Sequence, residues 1–450
     1  MGGTWDLFRY PGIRSDSDMY TLGYRFRPWR DAKTIADGPA ILNYIRETAA
    51  EFGVDKGIRY GHRVRRASWS SADALWTVEA EPQPEVAPEK TVVTFTCNFL
   101  YLCTGYYDYE GGYTPDWPDV ERFSGQIVHP QKWPENLDYS GKRVVVIGSG
   151  ATAVTIVPAM TDNAEHVTML QRSPTYITAL PSRDPIANWL REHLPARVAY
   201  GMTRWKNVMI GMFFYNLARG RPEFFKRILL KGARRKLGPD FDLSHFSPSY
   251  NPWDRRLCLI PDSDLFNAIK TGKASVVTDQ IETFTETGIE LKSGRNLPAD
   301  IVVTATGLNM KLMSGLQLIV DGAPVDMSTR LTYKGMMYSD VPNLASALGY
   351  TNASWTLKCD LTAGYVCRLL NHMERHGYSH CTPRRLDPAI TDEPALSFTS
   401  GYVQRALSSL PKQGSKKPWR LNQNYALDML SLRFSGVEDG TLEFSPQTRH

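Results

Sequence analysis

The sequence predicts an α/β protein built on a mostly parallel sheet, and three observations predict it. Short β-branched runs end at glycine: Arg143–Ile147 (RVVVI) meets Gly148, and Ala299–Ala305 (ADIVVTA) meets Thr306-Gly307. Helical patterns alternate with these runs, as parallel sheets with crossover helices require. The order strand, Gly148-Ser-Gly-Ala-Thr-Ala153, then VTIVPAM is a strand–turn–helix unit. At 450 residues the chain has room for two to three domains.

Taken in order, Ile41–Phe52 (ILNYIRETAAEF) has the apolar spacing of a helix. Thr91–Leu102 is β-rich and runs into Cys103-Thr104-Gly105. His166–Leu170 reads as the strand that follows the Gly-rich unit. Leu361–Gly377 is a strong late helix with Gly as its stop. The tail beyond about Ser415 is polar and mixed, and its pattern leaves open whether it wraps over a core. There is no internal repeat and no long linker.

Composition narrows the classes. Apolar residues at 42% and charged residues at 22% describe an ordinary globular chain and exclude collagenous or low-complexity structure. A net charge of +5 is too small to imply nucleic-acid binding. The longest near-continuous apolar run, Val208–Tyr215, is far short of the roughly 20 residues a bilayer span needs. The start, MGGTWDLFRYPG, has neither a basic nor an apolar signal region, so no secretory signal is expected. The six cysteines form no CxxC pair and read as reduced thiols of a cytoplasmic protein, with no metal site.

The charge is uneven. Residues 183–236 hold thirteen Lys/Arg and three Asp/Glu, a net of +10, interleaved with Trp189, Trp205, Phe213, Phe214, Phe224 and Phe225. Pro195, Pro222 and Gly238-Pro239 divide this stretch into basic amphipathic helices. Two readings stand: a solvated basic face, or a weak contact with a membrane surface or an acidic partner.

The Gly-rich turn carries specific chemistry. Gly148 permits the tight turn, Gly150 lets backbone approach a pyrophosphate, and Ala153 is small enough for helix and strand to pack closely. Where an NAD site would hold a ribose with a carboxylate, Arg172 stands after the second strand, with Ser173 beside it. A guanidinium pairs with a 2′-phosphate that a carboxylate would repel. The predicted cofactor is therefore NADPH.

Just upstream, Phe123-Ser-Gly125-Gln-Ile-Val-His129-Pro-Gln-Lys-Trp133-Pro134 fits FxGxxxHxxxWP. This resembles the fingerprint of Baeyer–Villiger monooxygenases, at all five fixed positions. The segments at 2–20, 103–107, 250–258, 304–309, 349–358 and 410–425 look like one subgroup, the ethionamide-activating monooxygenases. The resemblance implies an α/β fold of two dinucleotide-binding (Rossmann-like) domains with a helical insertion. The implied partition is a partial FAD-binding domain at 1–138, an NADPH-binding domain at 139–310 with the basic insertion at about 183–245, and a return to the FAD domain at 311–450. In relatives a strand–GxGxxG–helix unit precedes the segment matched by Gly2-Gly3-Thr4-Trp5, and the FAD domain is read here as lacking that first βαβ unit, roughly 40 residues.

The resemblance also implies the activity: FAD- and NADPH-dependent insertion of one oxygen from O2 into ketones, or onto the sulfur of thioamides and sulfides, through a C4a-peroxyflavin. Arg256 matches the catalytic arginine, and Asp16 the acidic residue that orients it and touches flavin and nicotinamide, with Asp18 as competitor. Thr4, Trp5, Asp6 and Leu7 match the loop along the flavin, and Val64 a backbone contact to the FAD adenine. Arg14, Ser15 and Arg255 match NADPH contacts, joining Gly148, Ser149, Gly150, Ala151, Thr152, Ala153, Arg172 and Ser173. His129 and Trp133 match linker residues that shape movement without direct chemistry. The alternative is a truncated, flavin-poor NADPH-binding fragment without activity. A flavin disulfide reductase is disfavoured, because no redox cysteine pair occurs.

Overall fold

The computed structural model describes residues 1–86, 91–255, 257–396 and 399–446. Contacts divide them into two units, one mainly from 1–55 and 108–309, the other mainly from 56–107, 310–397 and 401 onward.

The first unit is built on a five-stranded, all-parallel sheet in the order 274–278, 166–171, 143–147, 301–304, 126–128. RVVVI lies at the centre, buried from Val144 to Ile147, which explains its unbroken apolar run. Its two faces pack differently. Val144 and Val146 meet Ala153, Ile156, Val157 and Met160 of the helix Ala151–Met160. Val145 and Ile147 meet Phe284, Ile289 and Leu297 of a three-stranded antiparallel meander over 281–298. Counted from Arg143, the sheet order is 3-2-1-4, and chain direction across the sheet reverses between 143–147 and 301–304. Ligands of open α/β sheets bind at the C-terminal ends of strands at such a switch point.

The insertion forms three helices, Pro185–His193, Ala196–Gly220 and Pro222–Leu237, broken where Pro195, Pro222 and Gly238-Pro239 predict. Asp184 caps the first, its carboxylate accepting from Ala187 N at 3.0 Å, with Pro185 fitting the first helical position. Ala187 and Tyr200 share a core with Met19, Tyr20, Trp29, Ile41 and Tyr44, which joins the insertion to the helix Gly38–Glu51.

In the second unit the run 91–102 divides. Val93–Cys97 pairs with Leu75–Pro82 in a five-stranded mixed sheet, while Leu100–Leu102 runs parallel to Leu344–Ser346 in another. The late helix begins earlier than its apolar pattern indicates, at Trp355, and ends at His376 with Gly377 at φ +66°. The tail does wrap. Leu442–Pro446 pairs with Tyr378–Pro383, and Asp428 accepts from Lys358 Nζ, the Tyr350 hydroxyl and Asn422 Nδ2, each at 2.8 Å.

Candidate functional site

The Gly-rich turn sits at the switch point. Gly148 adopts φ +142°, and a Cβ there would overlap the Ala305 carbonyl oxygen, so glycine is required. Gly150 caps the helix in an extended conformation, and a Cβ on it would meet nothing within 4 Å. The space before the helix N-terminus is therefore open. The first N–H groups of a helix lack intrahelical acceptors, and the positive end of the helix dipole faces the same way. Ala153 is fully buried, as close helix–strand packing needs.

Ser149 ties this turn to the next loop: its hydroxyl donates to Ser173 O at 3.1 Å and lies 2.9 Å from Thr175 Oγ1. Arg172, on that loop, is exposed and makes no hydrogen bond or ion pair among the described residues. Arg255 stacks over Tyr250 with its guanidinium carbon 4.7 Å from the ring centre, and the Tyr250 hydroxyl donates to Pro174 O at 3.3 Å. Arg255 Nε is buried with no acceptor among the described residues. One exposed cation, Arg172, and one stacked cation, Arg255, thus stand at the same loop beside an open helix N-terminus. That is the donor set a phosphorylated nucleotide needs.

Other predicted residues have internal partners. Arg14 forms an ion pair with Asp264, whose carboxyl burial pushes up against the pull of Arg14. Ser15 is buried, its hydroxyl accepting from Ala36 N at 3.1 Å. Asp18 caps the turn Met19–Leu22, accepting from Thr21 N at 3.0 Å and from Asn207 Nδ2 at 2.8 Å, which gives it a structural role. Asp16 is exposed. Thr4–Leu7 makes one helical turn, with Asp6 ion-paired to Arg46 at 3.2 Å. Trp5, Asp6, Tyr10, Asp37 and Arg46 are among the residues lining a cavity of about 660 Å³, within the range of small-molecule sites. Val64 lies in the second unit, exposed beside a bulge in the strand His62–Ser70. Arg256 lies outside the described residues.

The FxGxxxHxxxWP segment grips neighbouring backbone. A Cβ on Gly112 would overlap the His129 ring, and His129 Nδ1 accepts from Gln131 N at 3.1 Å. Burial holds His129 below its ordinary value, with the Gly307 carbonyl opposing. Gln131 donates to Asp108 O at 2.7 Å, and Tyr113 N to Gly307 O at 3.0 Å. Sequence reasoning passed over Gln131, Asp264 and Tyr250. Only Tyr250 carried a signal, an aromatic ring five positions before Arg255.

These features define a dinucleotide-binding α/β oxidoreductase scaffold. Residues 33–314 match the model of the FMO-like, flavin-binding monooxygenase-like family. The chain is 53% identical over 447 residues to the FAD-containing monooxygenase EthA of Mycobacterium tuberculosis, covering 99% of this chain and 90% of that one. Identity to EthA of Mycolicibacterium smegmatis is 52% with the same coverage. An oxidized steroid monooxygenase bound to NADP shares the fold at a TM-score of 0.76, with 19% identity over 99% of this chain and 93% of that one. The chain belongs to the flavin-binding monooxygenase-like family, and it is a flavin-dependent monooxygenase.

Proposed function

We propose that the chain binds FAD and NADPH and transfers one oxygen atom of O2 to a ketone or to the sulfur of a thioamide or sulfide. The observation that carries this is the open helix N-terminus at Gly150, with Arg172 exposed and Arg255 poised on the loop beside it. The residues fit the dinucleotide: Gly148 to Ala153 would hold the pyrophosphate, and Arg172, Ser173 and Arg255 the 2′-phosphate end. The name and NADP-bound state of the relatives support the same pair of cofactors.

When bound, FAD reduced by NADPH supplies the electrons that activate dioxygen. The chain's residues then have three tasks. Arg172 and Arg255 orient the nicotinamide cofactor by its phosphate. Trp5 and Asp6 border the cavity in which a planar ring system would lie. Arg256, matched to the catalytic arginine by resemblance, would supply positive charge to the oxygen-transfer step, with Asp16 as its acidic partner, a role suited to a side chain that keeps its proton at any working pH. Arg14 and Ser15 contribute by fixing the loop that carries Asp16, through Asp264 and Ala36. In this reading 139–310 serves NADPH, while 1–138 and 311–450 serve FAD.

We read the location as cytoplasmic and peripheral to a membrane. All six cysteines are free, as a reducing compartment keeps them. The test of the redox reading is anaerobic. NADPH added to protein supplied with FAD should bleach the flavin, and NADH should do so far more weakly. Absence of bleaching by either would overturn it.

A further inference from the structure

The insertion presents an apolar stripe to solvent. Along Ala196–Gly220, Val198, Met202, Trp205, Met209 and Phe213 recur at spacings of four, three, four and four, which sets them on one face. All five are exposed, Phe213 by 62% and Met209 by 57%. The stripe is no by-product of packing, because the inward contacts of this helix are made elsewhere. Tyr200, Arg204 and Val208 are buried, and Arg204 donates to Tyr20 O at 2.7 Å and Gly23 O at 2.9 Å. The flanking helices add Trp189 and Phe224, exposed by 56% and 46%. Single exposed apolar residues are ordinary, but a run of large ones along one helix face marks a contact surface.

The surrounding charge selects the occupant. Ala196–Gly220 contains no Asp or Glu, and Pro222–Leu237 contains one, Glu223. Arg197, Arg219, Arg227, Lys231, Arg234 and Arg235 are exposed on these two helices, Arg219 in an ion pair with Asp254 at 3.0 Å. A second copy docking face to face would oppose like charges, since the exposed charged side chains of 196–220 and 222–237 are basic apart from Glu223. The stripe, Trp205 apart, carries no hydrogen-bonding group, and acyl chains ask for none, whereas an acidic polypeptide would be met only by the flanking basic residues and would leave the continuous apolar row unmatched. We propose that this face seats the chain on an anionic lipid bilayer, the stripe entering the boundary between headgroups and acyl chains and the basic residues meeting lipid phosphates. The helix lies in the plane of the surface, since among the described residues no helix is long and apolar enough to cross a membrane. This rests on the peripheral location read above and is independent of the redox chemistry.

The test is co-sedimentation of the full chain with vesicles of phosphatidylcholine alone, or of equal parts phosphatidylcholine and phosphatidylglycerol. The chain should pellet with the anionic vesicles only. Pelleting should fall as salt rises from about 0.1 to about 1 M, where the screening length drops from about 10 to about 3 Å. The triple variant Met202→Ser/Met209→Ser/Phe213→Ser should lower partitioning at least about tenfold. Lys231→Gln and Arg235→Gln should each lower it by about fivefold. NADPH binding of every variant should stay unchanged, which certifies the fold, and Met209→Leu should bind vesicles as the parent does. Equal pelleting with both vesicles would remove the anionic requirement and leave the peripheral location standing. No pelleting with either would remove both. Unchanged binding by the triple variant would overturn the stripe. A dimer of the free protein that the triple variant abolishes would reassign the stripe to a second copy.

Discussion

At the residue scale, the proposed preference for NADPH over NADH rests on Arg172, a reading drawn from its position after the second strand, where a dinucleotide's ribose is met. Its lack of a partner among the described residues agrees with a phosphate-binding role. Arg172→Ala should weaken NADPH binding by about 1–3 kcal/mol and leave NADH nearly unchanged, as titration calorimetry would record. Equal affinities for NADPH and NADH in the parent would remove Arg172 from the site. Arg14, Ser15 and Asp18 were harder to read, because a loop residue's burial and its partners come from distant segments. Asp264 is 250 positions from Arg14, and Asn207 is 189 from Asp18. Nothing in the local pattern announces either. Asp300 gives a pH test. Hydrogen bonds from Arg143, through its side chain and its backbone N–H, lower the Asp300 carboxyl to about 2. A depressed carboxylate stabilises the fold above its unfolded value near 4 and loses that contribution as pH falls toward 2. Asp300→Asn should cost about 1 kcal/mol at neutral pH, and the difference from the parent should vanish in acid, measured by urea denaturation.

At the element scale, the strand Arg143–Ile147 and the helix that follows were fully legible, since a buried parallel strand reads as an unbroken β-branched run. The turn between them is the element that admits least change. Gly148→Ala puts a Cβ against the Ala305 carbonyl at φ +142°. It should cost about 1–3 kcal/mol of stability and abolish NADPH binding, whereas Gly150→Ala, facing open space, should spare the fold and impair only the cofactor. Melting temperature and NADPH affinity, read together, separate the two variants. The insertion helices were legible through their prolines. Their packing face was not, because apolar residues occur all round Ala196–Gly220, and only the structure distinguishes the Tyr200 side from the Phe213 side.

At the scale of the whole molecule, each unit closes its own core. In the second unit the polar tail gave no hint of its fastening, since the pair that holds it is formed by residues seventy positions apart. Lys358 and Asp428 are both nearly inaccessible, and Tyr350 and Asn422 complete the aspartate's hydrogen bonds. Removing one member of a buried pair strands the other, so Lys358→Ala should lower stability by about 3–5 kcal/mol, seen as a shift in the urea midpoint. Lys358→Met with Asp428→Leu should recover much of that loss. The activity of the molecule as a whole is an oxygen transfer, and one measurement tests it most directly. The protein, supplied with FAD and NADPH, is given isotopically labelled dioxygen and a cyclic ketone or an organic sulfide. One labelled oxygen atom should appear in the ester or sulfoxide for each NADPH consumed. NADPH consumption that yields hydrogen peroxide and no labelled organic product would contradict the account.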